Sequence, residues 1–271
     1  MIPKIIHYCW FGKNPLPKDA KKYIASWKKY FPDYEIIEWN EDNYDVNCCE
    51  YTREAAKEKK WAFVSDFARF DILYKYGGIY FDTDVEVIRS LDDIINNGAF
   101  MGIESGTIDN NKKLCVASGL GIGAPAGLQI YKEIIDLYKN RHFYDSNGRI
   151  DQTTVVTIIS DLLMKKGILI ENNIARCCGI TIYPKDYFCP QDYVTGKLEI
   201  SKNTRTIHHY SSSWMTFSQK MRNSTYKYCR KYFGENIGEN IGKIVAAPFR
   251  IVCAIERKTK YKKEFTDNEK S

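Results

Sequence analysis

Between Ser65 and Val87 the sequence reads SDFARFDILYKYGGIYFDTDVEV. Its first half carries apolar residues at helical spacing and closes on Gly77-Gly78, a helix stop signal. From Ile79 the pattern alternates with a period of two, as a strand does. Ile79, Phe81, Thr83 and Val85 are expected on one face, and Tyr80, Asp82, Asp84 and Glu86 on the other. A helix, a glycine turn and a strand with an apolar face predict a central strand of an α/β fold. The Cβ atoms of Asp82 and Asp84 would then lie roughly 6–7 Å apart along a strand rising about 3.3 Å per residue. Two carboxylates that close repel each other unless a cation sits between them. Oxygen ligands select Mg²⁺, Mn²⁺ or Ca²⁺ over zinc, and magnesium-type ions are usually held by one or two carboxylates plus substrate phosphates. The plain alternative is a strand with one solvated acidic face.

The flanking sequence extends the α/β reading. Lys4–Gly12 (KIIHYCWFG) reads as a buried strand ending in a glycine turn. Asn14–Phe31 is a proline-marked loop leading into an amphipathic helix, and Tyr34–Asn40 (YEIIEWN) is a second strand. This is a βαβ opening, for which parallel strands and a right-handed crossover are expected. Downstream, Ala99–Ser105 reads as a strand, Gly119–Gly127 as a glycine-rich turn region, and Gly127–Asn140 and Thr153–Gly167 as helices. Thr181–Pro190 and Arg205–Tyr210 read as late strands.

Several other residues bear chemistry. Asp66 and Arg69 are neighbours on one helix face. The helix around them is crowded with Trp61, Phe63, Phe67 and Phe70, so little of it can be solvated. A buried Asp/Arg pair needs further partners, and sugar hydroxyls or phosphate oxygens would supply them. His7 and Trp10 lie at the end of the first strand, where α/β sheets bind ligands, and Trp10 offers a face for a nucleobase. Ile207–Trp214 (IHHYSSSW) offers His208 or His209 to a metal, and Ser213 and Trp214 as hydroxyl and indole donors.

The chain has 271 residues, 44% hydrophobic and 27% charged, which suits one large α/β domain. Its net charge of +6 is uneven: from Lys220 to Ser271 there are 13 Lys/Arg against 6 Asp/Glu, so the rest is close to neutral. A basic tail on a neutral body suggests an anionic partner for the tail, and no nucleic-acid motif appears. The 9 Cys, with the adjacent pairs Cys48-Cys49 and Cys177-Cys178 and no C-x-x-C, read as free thiols in a reducing compartment. The N-terminus lacks a signal-peptide plan and no run of about 18 apolar residues occurs, so a cytoplasmic location is expected. The texture changes near Gly234, which predicts a catalytic domain over 1–233 and an amphipathic, basic appendage over 234–271.

Taken together and in order, IPKIIHYCWFG, SDFARFDILYKYGGIYFDTDV and IHHYSSSW resemble glycosyltransferase family 32. That family includes bacterial capsule and surface-polysaccharide transferases and yeast α-mannosyltransferases, and its core resembles the glucosyltransferase domains of the large clostridial toxins. The resemblance covers residues 1–215, with a diverged middle. It implies a GT-A fold, a Rossmann-like α/β domain for nucleotide-diphospho-sugars, working with Mn²⁺ or Mg²⁺ and transferring a hexose with retention. It implies a nucleoside-diphosphate sugar as donor, a UDP-hexose ahead of GDP-mannose, and a glycan or lipid-linked acceptor. By position, Trp10 would stack on the base, with His7 beside it in the donor site. Asp66 and Arg69 would hold sugar and phosphate, and Tyr80 would support the donor. Asp82 would contact ribose or metal-bound water, Asp84 would bind the metal directly, and His208, or its neighbour His209, would complete the ligand set. Ser213 and Trp214 would close over the diphosphate. The tail lies outside the resemblance. Its Ile237, Ile241, Ile244 and Val245 at helical spacing, then Phe249, Val252 and Ile255, with Arg250, Arg257, Lys258, Lys260, Lys262 and Lys263, suggest peripheral contact with the inner face of the plasma membrane. The plain alternative is a helix packed on the catalytic domain with a solvated end. The rival is a non-catalytic module on the same fold: a degenerate transferase that only binds a nucleotide-sugar, or a carbohydrate-binding module using the acidic strand for Ca²⁺.

Overall fold

Strand β1 (Ile5–Cys9), helix α1 (Lys18–Tyr30) and strand β2 (Glu35–Trp39) form the expected βαβ unit, and the two strands pair in parallel. The computed structural model describes residues 1–108, 111–151, 153–212 and 215–256. Helix α1 buries Ala20, Tyr23, Ile24 and Trp27, which recur every three or four residues and so share one face. Burial of a side chain as large as Trp27 contributes on the order of 3 kcal/mol. Its indole N–H also donates to the Val85 carbonyl at 2.8 Å.

Helices α2 (Glu50–Lys57) and α3 (Trp61–Tyr76) come next. Apolar residues occur around most of α3, and it is buried accordingly: Val64, Phe67, Ala68, Phe70, Ile72 and Leu73 are all inside. It stops at Gly77 and Gly78, whose φ angles of 64° and 104° lie in the left-handed region. A Cβ on Gly78 would also stand 2.7 Å from the Ile5 carbonyl oxygen. This turn delivers β3 (Gly78–Tyr80) alongside β1, again in parallel.

The strand expected to continue from Ile79 through Val87 is interrupted at the acidic pair. Strand β3 ends at Tyr80, and β4 (Val85–Val87) begins a different, two-stranded sheet. Between them the Asp82 N–H donates to the Gly119 carbonyl at 3.2 Å, and the Val85 N–H donates to the Asp82 carbonyl at 3.0 Å. The physical reason is desolvation: two carboxyls continued along a paired, covered strand would be buried without counter-charge. A turn at the sheet's end satisfies the backbone and brings both carboxyls to its margin.

Helix α4 (Asp92–Asn96) leads to β5 (Ala99–Ile108) and β6 (Asn111–Ala117), which pair antiparallel. Strand β7 (Ile122–Ala124) lies inside the glycine-rich stretch expected to be only a turn. The Phe100 ring sits where a Cβ on Gly123 would be, 2.3 Å from its Cε1, so the glycine admits the ring rather than marking a turn. Helices α5 (Gln129–Lys139) and α6 (Val155–Lys165), strands β8 (Ala175–Cys177) and β9 (Ile180–Tyr183), the short helix α7 (Lys185–Phe188) and strand β10 (Thr206–His208) follow. The main sheet has the order β2-β1-β3-β7-β5-β9-β8, with β6 paired to β5, while β10 pairs antiparallel with β4. Strand β7 runs antiparallel to both β3 and β5, so beyond the opening unit the sheet is mixed. The expected α/β architecture is thus present. Its sheet separates two cores: Tyr80 joins Phe67, Phe70, Tyr131 and Ile134, while Ile79 and Phe81 join Trp27, Phe31 and Phe100 on the other side.

By packing, Met1–Gln191 with Glu199–Tyr210 makes one compact unit, and Asp192–Leu198 with Ser211–Ser271 makes a second. In the second unit, α8 (Phe217–Phe233) starts with a Thr216/Gln219 capping box and is followed by α9 (Glu235–Val245) and a helical stretch over 247–256. The boundary read at Gly234 lies between α8 and α9. Among the described residues no helix is long and apolar enough to cross a membrane. The basic residues Arg257, Lys258, Lys260, Lys262 and Lys263 lie outside the described residues.

Candidate active site

The site is built where α3, the turn after β3, β5, the Ser118-Gly119 loop and β10 meet. Its foundation is Arg69, whose side chain is only 5% exposed. The guanidinium donates to Asp66 Oδ1 at 2.8 Å and to Ser118 Oγ at 3.2 Å, and stands 3.3 Å from Asp82 Oδ1. It also lies 4.9 Å from the centre of the Tyr80 ring. Burial alone would disfavour its charge, but Asp82, Tyr80 and Asp66 hold it firmly protonated. Burial pushes the Asp66 carboxyl up to about 7, with Arg69 pulling the other way.

Asp82 is fixed from three sides. The Tyr80 hydroxyl donates to its Oδ1 at 3.0 Å, Arg69 approaches from below, and Gly119 passes so close that a Cβ there would stand 2.1 Å from Oδ2. Asp84 faces His208, whose Nε2 lies 3.2 Å from Asp84 Oδ1. The next residue anchors the turn: His209 N–H donates to the Asp84 carbonyl at 3.0 Å. Asp82, Asp84 and His208 each offer a ligand atom, and these atoms lie within 4.8 Å of one another.

A divalent cation fits this group. Two carboxylates and an imidazole converge, and His208 Nδ1 is buried with no hydrogen-bond partner. Burial opposes charge on His208, yet Asp84, Glu104 and Asp82 together raise it to about 9. A proton on this imidazole and a divalent cation would compete for the same carboxylates.

The sequence-derived residues divide clearly. Asp66, Arg69, Tyr80, Asp82, Asp84 and His208 come together. His209 turns away: its Nε2 lies 2.8 Å from Glu86 Oε2, and its ring stacks on Tyr23 at 4.4 Å. His7 is fully buried between strands, with Nε2 2.9 Å from the Gly77 carbonyl and Nδ1 accepting from the Trp39 indole at 3.1 Å. Burial lowers its pKa to about 4, so it is a neutral staple in the fold with no ring nitrogen left for a donor. Trp10 is half-buried just past β1, and its indole N–H donates to the Asn14 carbonyl at 2.6 Å. Ser213 and Trp214 lie outside the described residues.

Reasoning from sequence missed Glu104, Tyr210, Ser118 and Gly119. Glu104, half-buried on β5, has its carboxyl raised by burial and by Asp82 and Asp84, against the pull of His208 and a hydrogen bond from Tyr210. The only signal was a lone acid in the apolar strand AFMGIES. Tyr210 also stacks at a tilt against His208, with ring centres 4.3 Å apart.

Residues 17–101 match the family model described as "Glycosyltransferase sugar-binding region containing DXD motif". Inositol phosphoceramide mannosyltransferase 3 of Schizosaccharomyces pombe is 31% identical over 150 residues, covering 52% of this chain and 40% of that protein. An uncharacterized glycosyltransferase of Acanthamoeba polyphaga mimivirus is 35% identical over 106 residues, covering 37% of this chain and 42% of its own length. The chain thus spans about two fifths of these relatives. A solved glycosyltransferase involved in glycosylation of the major capsid of PBCV-1 aligns over 82% of this chain and 98% of its own, at 13% identity and a TM-score of 0.45. The matched region contains the D-x-D sequence Asp82-Thr83-Asp84, so residues 17–101 are similar to the sugar-binding region of DXD-containing glycosyltransferases.

Proposed function

We propose that this protein is a metal-dependent, retaining glycosyltransferase. It moves a hexose from a nucleoside-diphosphate sugar to a hydroxyl of a glycan or lipid-linked acceptor in capsular or surface-polysaccharide synthesis. The observation that carries this reading is the convergence of Asp82, Asp84 and His208 beside a buried Arg69–Asp66 pair. Asp82, Asp84 and His208 would hold Mn²⁺ or Mg²⁺. A cation bound there supplies counter-charge to the diphosphate leaving group.

The chain's own residues do the rest. Arg69 presents fixed positive charge at no cost of reorganisation, because Asp66, Ser118 and Asp82 already hold it. Asp66, oriented by Arg69, accepts from donor-sugar hydroxyls. Tyr80 holds the Asp82 carboxyl in one rotamer through its hydroxyl. Trp10 stacks on the base, a UDP-hexose being the favoured donor and GDP-mannose the second. No enzymic base is assigned, since a donor phosphate oxygen can take the acceptor proton in a retaining transfer. A lipid-linked acceptor is supported by relatives whose name specifies inositol phosphoceramide. A cytoplasmic site of action, with peripheral contact at the membrane through the basic C-terminal segment, belongs to the same proposal.

The test is release of nucleoside diphosphate from a panel of UDP- and GDP-sugars, with and without Mn²⁺. Metal-dependent release from at least one donor is expected. Cation and nucleotide binding without turnover of any donor would favour the binding-module alternative.

A further inference from the structure

In a helical hairpin built for water, the apolar side chains face the partner helix and small or polar ones face out. In the second unit, α8 and α9 reverse this. Helix α9 contacts α8 through glycine: a Cβ on Gly238 would stand 2.4 Å from the Cys229 carbonyl oxygen, and one on Gly242 would stand 2.7 Å from the Tyr226 ring. With the contact made by backbone, the large apolar residues are left outside. Ile237 is 63% exposed and Ile244 77%, and Tyr228, Tyr232, Phe233 and Val245 are each at least half exposed. Among them an open groove of about 410 Å³ is lined by Tyr228, Cys229, Phe233, Ile241 and Val245, with Ser224 and Thr225 also in its wall. The helical stretch after it adds exposed Ile251, Val252 and Ile255. Single exposed apolar residues are ordinary, but a contiguous set of this extent marks an interaction surface.

The charges around this face say what covers it. From Ser211 to Glu256 there are seven Lys/Arg and three Asp/Glu. Glu239 pairs with Arg230 and stands 4.0 Å from Lys243 Nζ, and Glu256 accepts from the Thr216 and Ser218 hydroxyls, so the net positive charge of the segment rests on the remaining Lys/Arg. Lys231, Lys243 and Arg250 are exposed. Exposed tyrosines, aliphatics and basic residues on short helices are the composition of an element that lies in a bilayer interface. None of these helices is long and apolar enough to cross.

We infer that the α8–α9 hairpin seats the protein on an anionic lipid bilayer, with Ile237, Ile244, Tyr228 and Tyr232 in the interface and Lys231 and Arg250 on the headgroups. This deepens the membrane contact proposed above by adding Tyr228 and Tyr232 of α8 to the apolar anchor on α9; it rests on that membrane reading and does not depend on the transfer reaction.

The experiment is co-sedimentation of the full chain with vesicles of phosphatidylcholine alone or with about 30% phosphatidylglycerol. Binding to the anionic vesicles is expected, weakened by salt and much weaker on phosphatidylcholine alone. The double variants Ile237→Asp/Ile244→Asp and Lys231→Glu/Arg250→Glu should each lose about tenfold or more in partitioning. Their thermal midpoints and metal-dependent donor hydrolysis in solution should be unchanged. Should a variant misfold, hydrogen exchange on the wild type decides: amides over 228–252 should gain protection with anionic vesicles. No vesicle binding, equal binding by the variants, absent protection, or a vesicle-independent dimer that the isoleucine variants dissociate would each overturn the inference. Loss of donor hydrolysis with vesicle binding intact would instead overturn the transferase reading alone.

Discussion

His208 Nε2 stands 3.2 Å from Asp84 Oδ1, joining the strand that ends the first unit to the turn that follows β3. The two residues are 124 apart in sequence, and the β4–β10 pairing sets their distance through the register His208↔Val85. A short two-stranded sheet therefore positions the group that can hold a cation.

The first prediction concerns pH. Against burial, Asp84 and its acidic neighbours raise His208 from 6.5 to about 9. In the metal-free protein this pairing contributes stability that is complete below about pH 6.5 and is lost as pH rises through about 9. Cation binding must displace that proton, so affinity should rise with pH up to about 9, by as much as tenfold per unit. Calorimetry in buffers of different ionisation enthalpy should show close to one proton released at neutral pH. A His208→Gln protein should release none.

Arg69 should be structural as well as catalytic. Arg69→Ala leaves Asp66 and Asp82 buried without their cation, which typically costs about 3–5 kcal/mol. A large drop in the denaturant midpoint is expected together with loss of activity. Arg69→Lys should recover part of the stability and little of the activity, because an ammonium cannot reproduce the fork to Asp66 and Ser118.

Gly119→Ala tests the close approach at Asp82. The added methyl would start 2.1 Å from Asp82 Oδ2, so the carboxyl must leave the position set by Tyr80. The expected result is at least a tenfold loss in kcat, given that misplacement of about 1 Å can cost a hundredfold. The thermal midpoint should move little.

Trp10→Ala should act on the donor rather than on the fold. Base–aromatic stacking is worth about 1–3 kcal/mol, so the donor KM should rise roughly 5- to 150-fold. Unchanged nucleotide affinity in a folded Trp10→Ala protein would remove Trp10 from the site.

What was legible in the sequence was periodic or local. The βαβ opening, α3 and its Gly77-Gly78 stop follow from apolar spacing and from the left-handed backbone those glycines adopt. The Asp66–Arg69 pair followed from helical adjacency. What was not legible depends on long-range pairing. Strand β7 hides in a glycine-rich stretch because its glycines make room for the Phe100 ring, a contact between strands. The break at Asp82 is invisible to alternation, since Tyr80 and Asp82 stay on one side through the turn and still hydrogen-bond. The choice between His208 and His209 could not be made from adjacent letters: only the β10 register sends one ring to Asp84 and the other to Glu86 and Tyr23. His7 looked available at a strand end, but the Trp39 indole and the Gly77 carbonyl occupy both its nitrogens.

The most direct test of the central claim is donor hydrolysis by Asp84→Ala, measured against Mn²⁺ concentration alongside its thermal midpoint. Loss of Asp84 removes both a proposed metal ligand and the nearest of the acids that raise His208. The account predicts a folded protein with no metal-stimulated turnover. A folded Asp84→Ala protein with wild-type activity and wild-type Mn²⁺ dependence would contradict it.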